Sequence, residues 1–399
     1  MPDNTVVTVQ CRAHPGAEKY LVGENRWVSA GRTPIDLVEA ASVEIGAGVA
    51  LPDGRALFIG ATPHTSLYTP GTNPEDTGSW ALGPDIPPSP DGRSCGAKDA
   101  PACLMTNGNV LLTVGPVDGL SNHYLGPTYF YEFDGADLVR VQDPPNAGQV
   151  PYVGRMLLLP SGEILYSSGT RSIYVYPPSA SFDPKWRPEV VNAPRQLLPG
   201  FSYTLTGRQL TGLSQAVGYG DDAAGATNYP MVLLRSGTGE IYYCRTFGHS
   251  TMAISTGSAV QSTNFAVPTS VPQGSYELIV VANGIPSVSY NVSMNNTQSW
   301  VRWDSIWDAI SEAFVKTPPT AIGSYGPIRD ASKDAQRKKE IVAARNSIVD
   351  GIKSLKKIGK QIEKQHLATA RKKPRAVDPE FAAFLGRSKS SHSKPEDGG

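Results

Sequence analysis

The sequence predicts a mainly β protein made of a repeated four-stranded unit, a second β domain and a basic helical tail. Its apolar residues come in short runs separated by glycine and proline, of which the 399-residue chain has 40 and 34, and such runs are typical of strands. A turn-and-strand motif recurs about every 50 residues in the first half of the chain. The balance of charge then changes sign. Residues 1–329 carry 19 basic and 27 acidic side chains, whereas residues 330–399 carry 17 and 9.

The recurring motif is a tight turn followed by an apolar strand. It begins at Met1, Leu51, Met105 and Leu159, and each copy places Asp, Asn, Ser or Gly at the turn, as tight hairpins require. A period near 50 residues, with room for four strands in each unit, is typical of β-propeller blades of the kelch kind. We therefore expect about four blades over residues 1–193, which either close into a small ring or form part of a larger propeller.

The repeat ends near Pro199, and a second β domain follows. Short alternating strands, separated by Gly, Pro and Asn turns, fill residues 194–296. About seven short strands in roughly 100 residues are typical of an immunoglobulin-like sandwich. Within this domain, residues 218–222 include two adjacent carboxylates, which we expect to lie in a solvated turn rather than to hold a cation.

Two segments of the second domain carry a resemblance to a known family. Residues 245–250 contain His249 in an Arg-Thr-Phe-Gly-His-Ser stretch, and residues 274–287 end in Asn-Gly-Ile-Pro-Ser. Together with the preceding repeats, they resemble the galactose oxidase and glyoxal oxidase superfamily, in which a kelch-type propeller precedes an early-set immunoglobulin-like domain. The resemblance covers residues 1–293. It implies the same order of domains here, with the second domain being an early-set sandwich.

The resemblance also implies a copper site, but most of the residues that would form it are missing from this chain. Enzymes of the superfamily hold copper with two tyrosines and two histidines and oxidise an alcohol or aldehyde through a tyrosyl radical. His249 and Tyr152 match two of these positions, but Val153 stands where the second histidine is implied. Ile45 stands at the place of the radical tyrosine, and Asp99 occupies the equivalent place one repeat later. Valine offers copper no lone pair, so we expect no catalytic residues and no cofactor. Copper held by His249 and Tyr152 belongs only to the alternative of a radical oxidase.

The C-terminal segment is predicted to be helical over residues 297–370 and disordered over residues 371–399. One helix would place Trp300, Trp303, Trp307, Ile310 and Phe314 on a single face. A second, basic helix would follow over about residues 333–370. Basic amphipathic helices bind nucleic acid or anionic membranes, although docking on the acidic part of the same chain is the simpler interpretation.

These features predict a non-catalytic binding module for a protein or glycan partner. The longest loops of the repeats, residues 65–80, 85–101 and 117–127, are rich in Tyr, Asn, Ser and Gly, a composition suited to adaptable contacts. The alternatives are the copper oxidase and a tail that binds nucleic acid or an anionic membrane. The compartment stays open, because residues 1–10 show no secretory signal and a signal in upstream sequence would make the protein secreted. No apolar run reaches the ~18 residues of a membrane-spanning helix. Cys95 and Cys103 would form a disulfide only in an oxidising compartment.

Overall fold

The computed structural model describes residues 1–295, except Asn122, Asn146, Ser179, Asp221 and Asp222, together with Asn346, Asp350, Lys353 and Lys357. Met1–Thr297 form one compact unit and Gln298–Gly399 a second. The first unit is mainly β, as the sequence predicts. In the second unit the four described residues are helical and exposed. The predicted Trp-rich helix, the rest of the basic helix and the disordered tail lie outside the described residues.

Four antiparallel meanders, one for each predicted turn, occupy the repeat region. Meander 1 contains β1 (Thr5–Val9), β2 (Gly16–Leu21) and β3 (Arg26–Arg32). Meander 2 contains β4 (Gly48–Ala50), β5 (Ala56–Ile59), β6 (Thr65–Thr69) and β7 (Ser79–Leu82). Meander 3 contains β9 (Pro101–Leu104), β10 (Val110–Pro116), β11 (Tyr129–Phe133) and β12 (Leu138–Arg140), and the preceding two-residue strand β8 (Cys95–Gly96) pairs with the end of β10. Meander 4 contains β13 (Arg155–Leu158), β14 (Ile164–Ser167) and β15 (Ile173–Tyr176).

The turns of the repeat share one backbone conformation. Gly54, Gly108 and Gly162 have φ values of 89°, 90° and 89°, and Asn4 has a φ of 63° at the matching place in meander 1. This left-handed region is open to glycine and tolerated by asparagine. The next strand of each meander follows directly, so the predicted turn-and-strand unit is confirmed as local structure.

Successive meanders pack face to face in chain order. Alternate residues of β10 show this arrangement, because Leu112 lies in the core shared with meander 2 and Leu111 in the core shared with meander 4. Meanders 1 and 2 enclose a third core that contains Ala30, Phe58 and Tyr68. Both faces of meanders 2 and 3 are therefore covered, whereas meanders 1 and 4 end the stack.

The remaining strands form one curled sheet and a separate hairpin. In chain order the sheet strands are β16 (Glu189–Asn192), β17 (Gln196–Leu197), β18 (Ser202–Arg208), β21 (Met231–Ser236), β22 (Ile241–Phe247), β23 (Val260–Ala266), β24 (Gly274–Ala282), β25 (Ile285–Pro286) and β26 (Tyr290–Met294). The hairpin consists of β19 (Ala216–Tyr219) and β20 (Ala223–Ala226). β16 precedes the predicted boundary at residue 194 but pairs with β18.

The sheet curls because β22 changes partners along its length. Its first residues, Ile241 to Cys244, pair with β21, and its last, Arg245 to Phe247, pair with β23. Leu205, Phe265 and Leu278 from different parts of the sheet then share one core. This curled sheet is the region predicted to be an immunoglobulin-like sandwich.

The hairpin β19–β20 leaves the curled sheet and joins meander 3. β19 pairs antiparallel with β9, with Tyr219 opposite Pro101. It also contacts β4 and β13, the first strands of meanders 2 and 4. A Cβ on Gly218 would lie 3.0 Å from the Ala47 Cβ and 3.1 Å from the Gly48 carbonyl oxygen, so the close approach depends on glycine. The first strands of three meanders thus meet at one hairpin.

The cysteines are present as thiols. Both cysteines pair with residues of β10: Cys95 of β8 lies opposite Pro116, and Cys103 of β9 lies opposite Leu111. Leu111 and Pro116 are five residues apart along the strand, which separates them by ~16 Å, whereas a disulfide needs Cα atoms within ~7 Å. The Cys95–Cys103 disulfide that the sequence allows is therefore incompatible with this fold. Among the residues that the structure describes, no helix is long and apolar enough to cross a membrane.

Candidate ligand-binding site

The residues just before β4, β9 and β13 lie close together beside the tip of the hairpin. Ile45, Asp99 and Tyr152 precede β4, β9 and β13, and the Asp99 N–H donates to the Ile45 carbonyl oxygen at 3.3 Å. The tip of the hairpin reaches the same place, because a Cβ on Gly220 would lie 2.4 Å from Asp99 Oδ1 and 2.9 Å from the Ile45 carbonyl oxygen. We call this place, marked by Ile45, Asp99, Tyr152, Tyr219 and Gly220, the mouth.

Three tyrosines from different elements cluster at the mouth. The ring centroid of Tyr152 lies 4.6 Å from that of Tyr124 and 6.4 Å from that of Tyr219. The Tyr124 hydroxyl donates to Asp99 Oδ2 at 2.9 Å, and the Tyr219 hydroxyl donates to the Tyr152 carbonyl oxygen. Tyr152 remains 38% exposed while Tyr219 is buried. The outer ring is therefore available to a ligand and is held by rings behind it.

Two cations lie over these rings. The Arg155 guanidinium carbon is 4.1 Å from the centroid of the Tyr219 ring, and Arg155 Nη1 donates to the carbonyl oxygens of Tyr152 and Gly154 at 2.9 and 2.6 Å. Lys98 Nζ lies 4.8 Å from the centroid of the Tyr124 ring. Lys98 is buried and Arg155 is exposed, so Arg155 is the cation that a ligand would meet.

Burial favours the protonated phenols of Tyr124 and Tyr219. Desolvation raises the pKa of Tyr219 to about 12. It also raises the pKa of Tyr124 above its ordinary value, and the neighbouring carboxylate of Asp99 adds to this shift. A protonated phenol is a hydrogen-bond donor and offers a neutral aromatic face. These two side chains therefore offer stacking and hydrogen-bonding groups rather than phenolates.

Three histidines occupy equivalent loops at the same end of meanders 1, 2 and 3. In each case Nδ1 bonds a carboxylate: His14 to Asp36 at 2.5 Å, His64 to Asp85 at 2.8 Å and His123 to Asp118 at 2.5 Å. Lys98 Nζ donates to the His123 carbonyl oxygen at 3.4 Å, which ties the third loop to the mouth. Among the described residues, no group of three or more His, Cys, Asp or Glu side chains could hold a metal ion.

The structure separates the two residues that the resemblance offered to copper. His249 Nδ1 lies 2.9 Å from Thr263 Oγ1, and burial lowers the pKa of His249. His249 lines a groove of about 640 Å³ together with Pro160, Tyr229 and Met252. Pro160 follows β13, whereas Tyr152 precedes it, so His249 and Tyr152 lie toward opposite ends of that strand. This arrangement does not fit one copper ion held by both residues.

Sequence reasoning singled out Ile45, Asp99 and Tyr152 but missed Tyr124, Arg155 and Tyr219. Tyr219 is the last residue of β19. It lies in the segment 218–222, where only the two carboxylates suggest a function from sequence, and Asp221 and Asp222 are outside the described residues. One signal was available in the sequence. The hairpin strands are built almost wholly from Ala and Gly, a composition that permits close approach between backbones.

Comparisons of the sequence with known proteins found no relative. No protein-family model matches the sequence, and no curated protein matches it at a significant level.

Proposed function

We propose that this protein is a non-catalytic binding module that takes a glycan at the mouth. In this proposal the four meanders are blades of a kelch-type propeller, and the curled sheet is an early-set immunoglobulin-like domain, as in the galactose oxidase-like superfamily. The contact of β19 with the first strands of three meanders favours a radial arrangement of the meanders about the hairpin.

The observation that carries the proposal is the half-exposed ring of Tyr152, backed by Tyr124 and Tyr219. The C–H faces of a pyranose stack on aromatic rings, and its hydroxyls need directed donors and acceptors. At the mouth, the aromatic face has the Asp99 carboxylate behind Tyr124 and the exposed Arg155 guanidinium beside Tyr219. Ligand sites typically combine aromatic lining with a few such convergent polar groups.

The positions of Tyr152 and His249 favour binding over radical chemistry at this place. The two residues lie toward opposite ends of β13, which does not suit one copper ion held by both. The tail hypothesis concerns residues that are almost all outside the described part of the chain, and it stays a prediction.

We predict that Tyr152→Ala weakens saccharide binding about tenfold, because the exposed stacking face is removed. The measurement is ligand-observed NMR with a panel of neutral and acidic oligosaccharides, followed by titration calorimetry of those that bind. Tyr243→Ala is the matched control, since Tyr243 is an exposed tyrosine on β22.

Equal loss in both variants, or binding unchanged by Tyr152→Ala, would place the saccharide elsewhere and refute the mouth as its site. Binding to no saccharide in the panel would leave a protein partner as the better hypothesis. Stoichiometric copper with alcohol-dependent peroxide formation would replace the proposal with the oxidase.

A further inference from the structure

The two ends of the meander stack expose sheet faces that resemble the faces buried inside it. Each internal junction is a core between two sheets. Meander 1 presents its outer face on one side of the stack and meander 4 presents its outer face on the other. Within residues 1–295, no sheet covers either end face.

The end face of meander 1 has two rows of side chains. Val6, Tyr20 and Trp27 are cross-strand neighbours in one row, and Thr8, Glu18 and Ser29 are neighbours in the other. Val6 and Trp27 are both 53% exposed, and the ring centroids of Tyr20 and Trp27 lie 5.2 Å apart. An apolar row with an ordered aromatic pair is therefore open to solvent.

The end face of meander 4 has the same plan. Leu157, Leu165 and Val175 form one row, and Arg155, Ser167 and Ile173 form the other. Leu157, Val175 and Ile173 are 48%, 50% and 62% exposed. The opposite face of this meander packs on meander 3, so the exposure belongs to the end face alone.

The two end faces match each other in polarity and charge. In both meanders the row with the charged residue lies toward the mouth, and the apolar row lies toward the far end. Stacking the faces in the orientation of the internal junctions therefore sets Val6, Tyr20 and Trp27 against the row of Leu157. It also brings the end with Glu18 toward the end with Arg155. Acidic residue faces basic residue, and apolar row faces apolar row.

We propose that two copies of this chain associate through these faces, with meander 4 of each copy packing on meander 1 of its partner. A two-fold axis relates the two junctions, so the assembly closes after two copies and leaves no end face exposed. A second copy fits this role because it supplies both complementary faces at once. Exposed apolar sheet surface of this kind marks an interaction site.

The test is the oligomeric state of the full chain, measured by sedimentation velocity over a range of concentrations. We expect a dimer whose dissociation constant rises about 30-fold in Val175→Asp and in Trp27→Asp, because each variant sets a charge against an apolar row. The matched control is Ile241→Asp on the curled sheet, where Ile241 is 49% exposed, and its dissociation constant should equal that of the wild type. The melting temperature of each variant establishes that it is folded.

Two results would overturn the proposal. One is a wild-type chain that stays monomeric. The other is a dimer that Ile241→Asp weakens as much as Val175→Asp.

Discussion

Replacing Lys98 with alanine is expected to lower the free energy of unfolding by about 3–5 kcal/mol. The Lys98 and Glu39 side chains are only 5% and 8% exposed, and Lys98 Nζ lies 2.5 Å from Glu39 Oε2. The same ammonium donates to the Leu120 and His123 carbonyl oxygens at 3.1 and 3.4 Å. Without it, the Glu39 carboxylate stays buried without its cation, and the loop that carries Tyr124 loses its anchor.

Urea denaturation at neutral pH measures this effect, and two further variants separate its causes. Lys98→Met combined with Glu39→Leu removes both charges together, so it should be less destabilising than Lys98→Ala. Lys353→Ala breaks an ion pair with Asp350 whose side chains are 71% and 73% exposed, and it should change stability by less than about 0.5 kcal/mol. A Lys98→Ala protein with the wild-type urea midpoint would show that the buried pair contributes nothing to stability.

Local signals in the sequence predicted local structure. The turn residues near Gly54, Gly108 and Gly162 dictate their own backbone conformation, and strand geometry places Leu111 and Leu112 on opposite faces of β10. Both signals act within a few residues, so a single sequence carries them. The repeat extended them to four meanders, because the same local pattern recurs at a near-constant interval.

Pairing across long separations was less accessible. β19 pairs with β9, more than 100 residues earlier, and nothing in the register of either strand selects the other. The Ala- and Gly-rich composition of the hairpin permits close approach without naming its partner. Tyr124 and Arg155 were missed for the same reason. Tyr124 lies beside Tyr152 only once meanders 3 and 4 have stacked, and Arg155 lies over Tyr219 only once the hairpin has joined meander 3.

The residues that the family resemblance singled out do not all lie at one place. Asp99 and Tyr152 both lie at the mouth, beside the tip of the hairpin. His249, which the resemblance offered as a partner of Tyr152, lies instead with Pro160 at the other end of β13. A motif of a few residues can identify a strand, but the distance between two motifs depends on how their sheets pack.

Asn283→Ala is expected to lower the free energy of unfolding by about 4 kcal/mol. Asn283 is buried in the turn between β24 and β25, and its Oδ1 accepts from the Leu213 and Ser214 N–H groups at 2.7 and 3.1 Å. Its Nδ2 donates to the Ser214 carbonyl oxygen at 3.0 Å. Alanine would leave these backbone groups buried without the side chain that satisfies them, at about 1–3 kcal/mol for each unsatisfied group. It would also have to adopt the φ of 47° of this position, which alanine disfavours.

Asn25→Ala tests mainly the backbone part of this effect. Asn25 has a φ of 53° in the exposed turn between β2 and β3, where its Oδ1 accepts a solvent-exposed hydrogen bond from the Tyr20 hydroxyl. The substitution should lower stability by about 1 kcal/mol, so the difference between the two variants measures the three buried hydrogen bonds of Asn283. These bonds hold the segment that leads into β19, and Asn283→Ala should therefore also weaken the Tyr152-dependent binding of saccharide, whereas Asn25→Ala should not. Equal losses of stability at the two positions would mean that the three hydrogen bonds of Asn283 contribute nothing to stability.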